Sequence, residues 1–166
     1  GCELALACHL RYAADTASFG QPEVKLGVIA DVGGTSRLAR LMGPSRALEI
    51  FLTAREYTAR QALDWGLVNY IYPAKDLLEE AEKMVRDMAV TAPLAGGAVK
   101  KIIKRGDGVD LMTQLDMEAN YNSILLRTED FQEGIKALQA AGAPLDHVGA
   151  DLDAASQRFG HTQATL

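Results

Sequence analysis

Long apolar runs, cysteine and positive charge are all scarce in this sequence of 166 residues. No apolar stretch approaches the roughly 20 residues that a membrane-spanning helix needs, so we expect no membrane segment. Lys and Arg number 17 against 22 Asp and Glu, which gives a net charge of −5. Because a broad positive surface is the usual mark of nucleic-acid binding, we expect no nucleic-acid partner.

Cys2 and Cys8 are the only cysteines. A spacing of six residues in a helix points them to different faces, which disfavours a disulfide between them. Reduced thiols suggest a cytoplasmic location, and the chain does not open with a signal segment. The histidines, His9, His147 and His161, do not have metal-ligand spacing, so we expect no metal.

What the sequence does contain is ordinary for a globular domain, with 48% hydrophobic and 23% charged residues. Its first part mixes short strand and helix patterns, including a capping box that begins at Thr58 and a helical first turn at Pro22 and Glu23. From residue 77 the pattern is helical, and one amphipathic stripe contains Leu77, Ala81, Met84, Val85 and Met88. Further helices are expected around 99–103, 109–126 and 128–139, and Thr128 is expected to cap the last of them.

This division predicts three regions. Residues 1–73 would form the remainder of a core that carries the catalytic carboxylates, residues 74–148 a helical C-terminal region, and residues 149–166 a loose tail. The helical half has too few strands for a sheet of its own, and the chain begins with Gly inside a predicted helix start. We therefore expect an N-terminal part to be missing.

Several ordered motifs carry a family resemblance. They are Gly1-Cys2-Glu3-Leu4-Ala5-Leu6-Ala7-Cys8, Arg11-Tyr12-Ala13, Phe19, Pro22-Glu23, Leu26-Gly27, Gly33-Gly34-Thr35, Leu52-Thr53, Ala62 with Gly66-Leu67-Val68, Glu129-Asp130 and Glu133-Gly134. In order and spacing they resemble the enoyl-CoA hydratase/isomerase (crotonase) family over roughly residues 1–140. The resemblance implies an α/β fold, the crotonase-like ββα spiral, followed by a C-terminal helical trimerisation region. It also implies a homo-trimer or hexamer, an acyl-CoA thioester substrate and no separate cofactor.

The resemblance also assigns a site. Glu3 and Glu23 match the two glutamates that handle the water added across the substrate's double bond, while Gly1 and Gly27 match substrate-binding positions. Adding water to an unsaturated thioester needs a base for the water and an acid for the α-carbon. The growing enolate also needs N–H donors, which the family pattern places before Gly1. We therefore expect residues 1–166 alone to be inactive.

Asp31 leaves the reaction open. It could be an N-cap or Asx turn before Gly33 and Gly34. Alternatively, the turn at residues 30–33 resembles that of dienoyl-CoA isomerases, in which acids at the positions of Glu23 and Asp31 move a proton along the diene. By the same resemblance, hydratases of the family carry glutamate at the position of Glu3. Enoyl-CoA hydration is thus our first hypothesis, with dienoyl-CoA or enoyl-CoA isomerisation as the alternative.

A third hypothesis is that the chain is a non-catalytic assembly or binding module. The basic cluster Lys100, Lys101, Lys104 and Arg105 could bind coenzyme A phosphates, although a solvated helix face explains it more simply. The last family helix often ends with a Lys or Arg, whereas residues 137–142 contain none. This departure leaves the residue that anchors coenzyme A unassigned.

Overall fold

The computed structural model describes residues 1–140, which divide into two compact units, Gly1–Lys83 and a second that begins at Met84. The helices are α1 (Cys2–Ala7), α2 (Gly34–Met42), α3 (Pro44–Thr53), α4 (Ala59–Asp64), α5 (Leu77–Ala89), α6 (Pro93–Gly106), α7 (Leu111–Leu125) and α8 (Glu129–Ala140), with a 3-10 helix at Glu23–Leu26. No helix in the described part is both long and apolar enough to cross a membrane.

Four short strands occur in the first unit: β1 (Tyr12–Ala14), β2 (Ser18–Phe19), β3 (Tyr57–Thr58) and β4 (Tyr70–Tyr72). β1 pairs in parallel with β4, and β2 pairs antiparallel with β3. The Tyr12 ring packs edge-on against the Tyr70 ring, with 5.2 Å between their centroids. The first part of the chain is therefore mixed α/β, as the strand and helix patterns predict.

The core of the first unit lies where α1, α2, α3 and α4 contribute buried side chains. Leu38 of α2 is 1% exposed and Ile50 of α3 is 3% exposed. The apolar run Leu4-Ala5-Leu6-Ala7-Cys8 predicts a buried helix, and this prediction is wrong for most of α1, because Leu6 is its only buried residue and Leu4 is 74% exposed. A helix of six residues turns one narrow stripe toward the core, whatever its composition.

The predicted capping box at Thr58 is confirmed. The Thr58 hydroxyl accepts a hydrogen bond from the Gln61 N–H at 3.3 Å, and the Gln61 side chain accepts one from the Thr58 N–H at 3.0 Å. Ala59 and Ala62 of α4 are fully buried, so this cap fixes a helix that belongs to the core. The capping box, a local sequence feature, therefore stabilises the start of a helix that packs in the core.

The second unit is helical in its described part. α6 and α7 pack against each other, and Asp110 caps α7 by accepting a hydrogen bond from the Thr113 N–H at 3.0 Å. The Thr128 hydroxyl accepts the Phe131 N–H at 3.3 Å, which confirms Thr128 as the cap of α8. The tail predicted at residues 149–166 and the end of the region 74–148 lie outside the described residues, and the predicted region boundaries stay predictions.

Candidate active site

Glu3 stands in the first turn of α1, where an acidic side chain interacts favourably with the helix dipole. Its side chain is partly buried and reaches across to the start of α2. There the Gly34 N–H donates a hydrogen bond to Glu3 Oε1 at 2.9 Å. Because α1 and α2 pack together, this contact fixes the carboxylate against the scaffold rather than leaving it in solvent.

The space next to the Gly34 Cα, where a side chain would begin, is already occupied by neighbouring atoms. A Cβ placed there would lie 2.7 Å from Glu3 Oε1, 2.9 Å from Ala30 Cβ and 3.0 Å from the Gln21 amide. Gly33, the N-cap of α2, has φ of 89°, a left-handed conformation that favours glycine. The Gly33-Gly34 pair therefore serves both the turn and the close approach of Glu3.

Glu23 is the first residue of the 3-10 helix, and Pro22 is the N-cap of that helix. Gly27 ends this helix in a left-handed conformation, with φ of 76°, and its N–H points to the Glu23 and Val24 carbonyls. The Glu23 side chain is partly buried. The short helix thus presents the second carboxylate to the interior of the first unit.

Gln21 connects the second carboxylate to the first. Its side chain is 2% exposed, and with its amide nitrogen facing Glu23 it donates to both carboxylate oxygens at 3.2 Å. The same amide lies against Gly34, whose N–H holds Glu3. Glu3 and Glu23 are 20 residues apart in the sequence. In the fold they are linked through Gly34, which binds Glu3, and the neighbouring Gln21, which binds Glu23.

Sequence reasoning missed Gln21. A glutamine between glycine and proline has the composition of a solvated loop, and only tertiary contacts enclose it. Its position two residues before Glu23 was the one available signal, and that spacing does not by itself distinguish a buried amide from an exposed one.

The structure does not bring the other predicted residues into this contact. Asp31 is exposed, and the interpretation of Asp31 as the N-cap of α2 is wrong, because Gly33 holds that position without a side-chain cap. Gly1 is the N-cap of α1, and its carbonyl accepts the Ala5 N–H at 3.0 Å. Both Gly1 and Gly27 are exposed, and the contacts described for them are within the backbone.

Cys2 adjoins the carboxylates but does not offer a nucleophile. Burial raises the pKa of the Cys2 thiol, and the negative charges of Glu23 and Glu3 raise it further. Because the thiolate is the reactive form, Cys2 remains a poorly reactive thiol at neutral pH. The side chains here that could transfer protons are therefore the carboxylates of Glu3 and Glu23.

The loop after Glu23 is apolar and exposed. Leu26, Val28, Ile29 and Val32 are between 56% and 80% exposed. Exposed apolar patches of this kind commonly mark a surface that binds a ligand or another protein segment. An exposed apolar segment therefore follows Glu23 directly in the sequence.

Comparison with known proteins identifies the family of this chain. Residues 1–143 match the family model for enoyl-CoA hydratase/isomerase. A short-chain-enoyl-CoA hydratase from Clostridioides difficile is 42% identical over 135 residues, covering 81% of this chain and 87% of that protein. A 2,3-dehydroadipyl-CoA hydratase from Escherichia coli is 39% identical over 144 residues, covering 87% of this chain and 56% of that protein.

A crystal structure of an enoyl-CoA hydratase from Bacillus anthracis matches with a TM-score of 0.82 and 39% identity, over 87% of this chain and 56% of that one. The chain spans about half the length of most of the curated relatives it matches. It has a crotonase-like α/β fold that is mostly helical, with small sheets. The chain belongs to the enoyl-CoA hydratase/isomerase family.

Proposed function

We propose that the protein containing this chain adds water across the 2,3 double bond of an enoyl-CoA thioester. The meeting of Glu3 and Glu23 at the Gly34–Gln21 pair is the observation that carries this proposal. The two similar proteins described above are hydratases of CoA thioesters by name. We assign the activity to the whole protein, because the chain spans about half the length of most relatives.

Two carboxylates suffice for the proton transfers of hydration. One carboxylate takes a proton from water as the water oxygen bonds to the β-carbon, and the electrons of the double bond move toward the thioester oxygen. The other carboxyl group then gives a proton to the α-carbon, which restores the thioester carbonyl. Glu3 and Glu23 share these two tasks.

The hydrogen bonds of Glu3 and Glu23 support this role, because they hold both carboxylates in fixed positions. Each is partly buried and held by an N–H group that belongs to the scaffold or to an enclosed side chain. Groups fixed in advance need no reorganisation during the reaction. The exposed apolar loop with Leu26 and Ile29 is a suitable surface for an acyl chain.

A second candidate is isomerisation of a dienoyl-CoA by Glu23 and Asp31. The observation that favours it is that the Asp31 side chain does not cap α2, so that structural role does not explain its presence. In that reaction, one carboxylate would remove a proton at one end of the diene and the other would deliver a proton at the far end.

Product analysis of the full-length protein separates the two candidates. Wild type, Glu23→Gln and Asp31→Asn would each be incubated with an enoyl-CoA and a dienoyl-CoA, and 3-hydroxyacyl-CoA and the shifted diene measured. Hydration predicts 3-hydroxyacyl-CoA from wild type, a loss of at least about 10²-fold in Glu23→Gln, and little change in Asp31→Asn. Diene migration without hydrated product, abolished by Asp31→Asn, would overturn the hydratase proposal in favour of the isomerase.

A further inference from the structure

α6 carries a concentration of positive charge in a chain whose net charge is −5. Its 14 residues contain four cations and no acidic residue. The cations are Lys100, Lys101, Lys104 and Arg105, and all four side chains are exposed. The ion pairs described for residues 1–140 include none of them. This charge is therefore not neutralised by the part of the chain that the structure describes.

The helix dipole accounts for only half of these cations. Lys104 and Arg105 lie in the last turn of α6, where a positive charge interacts favourably with the dipole. Lys100 and Lys101 lie before that turn, where this effect has fallen off. Each of them also stands four residues before another cation, and like charges at that spacing destabilise a helix. The stability of α6 therefore does not explain Lys100 and Lys101.

Exposed apolar side chains accompany the cations on the same side of α6. With 3.6 residues per turn, Ile103 lies next to Lys100 on the helix surface, and Leu94 lies two turns before Lys101. Ile103 is 66% exposed and Leu94 is 59% exposed. The other side of the helix contains the buried Ala98 and packs against α7. The exposed side thus combines positive charge with apolar surface, and we call it the cationic face of α6.

We propose that the cationic face of α6 docks on the surface of a lipid bilayer that contains anionic lipids. Lysine and arginine side chains attract the anionic headgroups, with an effect that adds up over a cluster of cations. Apolar side chains between them enter the boundary between headgroups and acyl chains, as in helices that lie in the plane of a membrane. The helix lies on the bilayer and does not cross it.

Other anionic partners match this face less well. Proteins that bind single-stranded nucleic acid combine cations with aromatic rings that stack on the bases, and α6 has no aromatic residue. An amphipathic acidic peptide needs a groove for its apolar side. The groove beside α6 is lined by Glu118, which repels an acidic peptide, and not by Ile103 or the four cations. A layer of lipid headgroups needs no groove.

The first test is flotation of the full-length protein with phosphatidylcholine vesicles, with and without phosphatidylserine. We expect wild type to bind only the vesicles with phosphatidylserine, and to be released at high salt because salt screens exposed charges. The double variant Lys100→Gln/Lys104→Gln should bind at least about 30-fold more weakly, since each cation near such a surface contributes about fivefold. Its thermal midpoint should not fall, because the change removes a like-charge pair.

The matched control is the double variant Lys75→Gln/Lys136→Gln. Both of these lysines are exposed and lie outside α6, and their loss changes the net charge by the same amount. We expect this variant to bind vesicles like wild type. The comparison therefore separates the position of the charges from their number.

The second test concerns the apolar part of the face. Ile103→Gln should weaken binding severalfold, because a polar amide does not enter the boundary of the acyl chains. Leu48→Gln, at an exposed apolar residue of α3, is the control and should bind like wild type. Both tests measure vesicle binding directly, so their results do not depend on the proposed hydration activity.

Three results would overturn this inference. Wild type that does not bind phosphatidylserine vesicles at low salt would show that the cationic face is only a solvated helix surface. Equal losses in the two double-lysine variants would show a general charge effect without a docking face. Ile103→Gln that binds like wild type would show that attraction is purely electrostatic, which favours a soluble anionic partner such as RNA or an acidic peptide.

Discussion

Gly34 shows at the scale of one residue how the fold and the site depend on each other. Its N–H holds Glu3, and the space where a side chain would stand is filled by Glu3, Ala30 and Gln21. An added methyl group must displace either a carboxylate or buried atoms of the scaffold. The absence of a side chain at Gly34 is therefore a requirement of both packing and chemistry.

Gly34→Ala is expected to lower the stability by about 1–3 kcal/mol, as overpacking does, and to reduce hydration because Glu3 is displaced. Thermal unfolding and steady-state kinetics of the full-length variant would measure both effects. Gly96→Ala in α6 is the control, since a Cβ there has nothing within 4 Å. That change should stabilise by about 0.5–1 kcal/mol. Equal behaviour of the two variants would refute the crowding at Gly34.

At the residue scale, the sequence indicates local features and misses non-local ones. Glu3 and Glu23 are predicted as site residues because each lies in the first turn of a helix and belongs to a recognisable motif, and their catalytic role stays a prediction. Gln21 was missed because its burial depends on α1 and α2, which no local pattern reveals. The N-cap role of Asp31 was wrong because the left-handed conformation of Gly33 decides where α2 begins.

At the scale of elements, helix ends are the features that the sequence predicts best. The capping box at Thr58 and the cap at Thr128 both depend on residues three positions apart, so the pattern contains the whole interaction. The pairing of β1 with β4 is different, since it joins Tyr12 to Tyr70. Two strands of three residues carry too little pattern to identify partners so distant in the sequence.

Thr58→Ala should lower the stability by about 1 kcal/mol, because the Gln61 N–H loses its acceptor at the start of α4. The thermal midpoint of the full-length protein would show the change. Thr58→Ser keeps the hydroxyl and serves as the control. A Thr58→Ala protein that unfolds at the same temperature as wild type and Thr58→Ser would contradict the role of this cap.

At the scale of the whole molecule, large apolar side chains remain exposed. α6 and α7 border a groove of about 490 Å³, lined by Val99, Ile102 and Leu115 among others, and Val99 is 55% exposed. On α5, Val85 and Met88 of the predicted stripe are 63% and 43% exposed. Such surfaces are typical of proteins that associate.

We predict that the full-length protein self-associates as a trimer or a multiple of a trimer, the assembly that the family resemblance implies. Light scattering at micromolar concentration would measure its mass. Val99→Asp should weaken the assembly by placing a charge in the groove, whereas Lys101→Asp, an exposed control on the same helix, should leave it intact. A strictly monomeric wild type would count against this prediction.

The central claim is that Glu3 and Glu23 act as one acid/base unit, and a double-variant cycle tests it most directly. Hydration by the full-length wild type, Glu3→Gln, Glu23→Gln and the double variant would be measured under the same conditions. Groups that act as a unit are strongly non-additive, so each single change should cost at least about 10²-fold and the double change little more than the worse single one. An active Glu23→Gln enzyme, or losses that multiply in the double variant, would contradict the account.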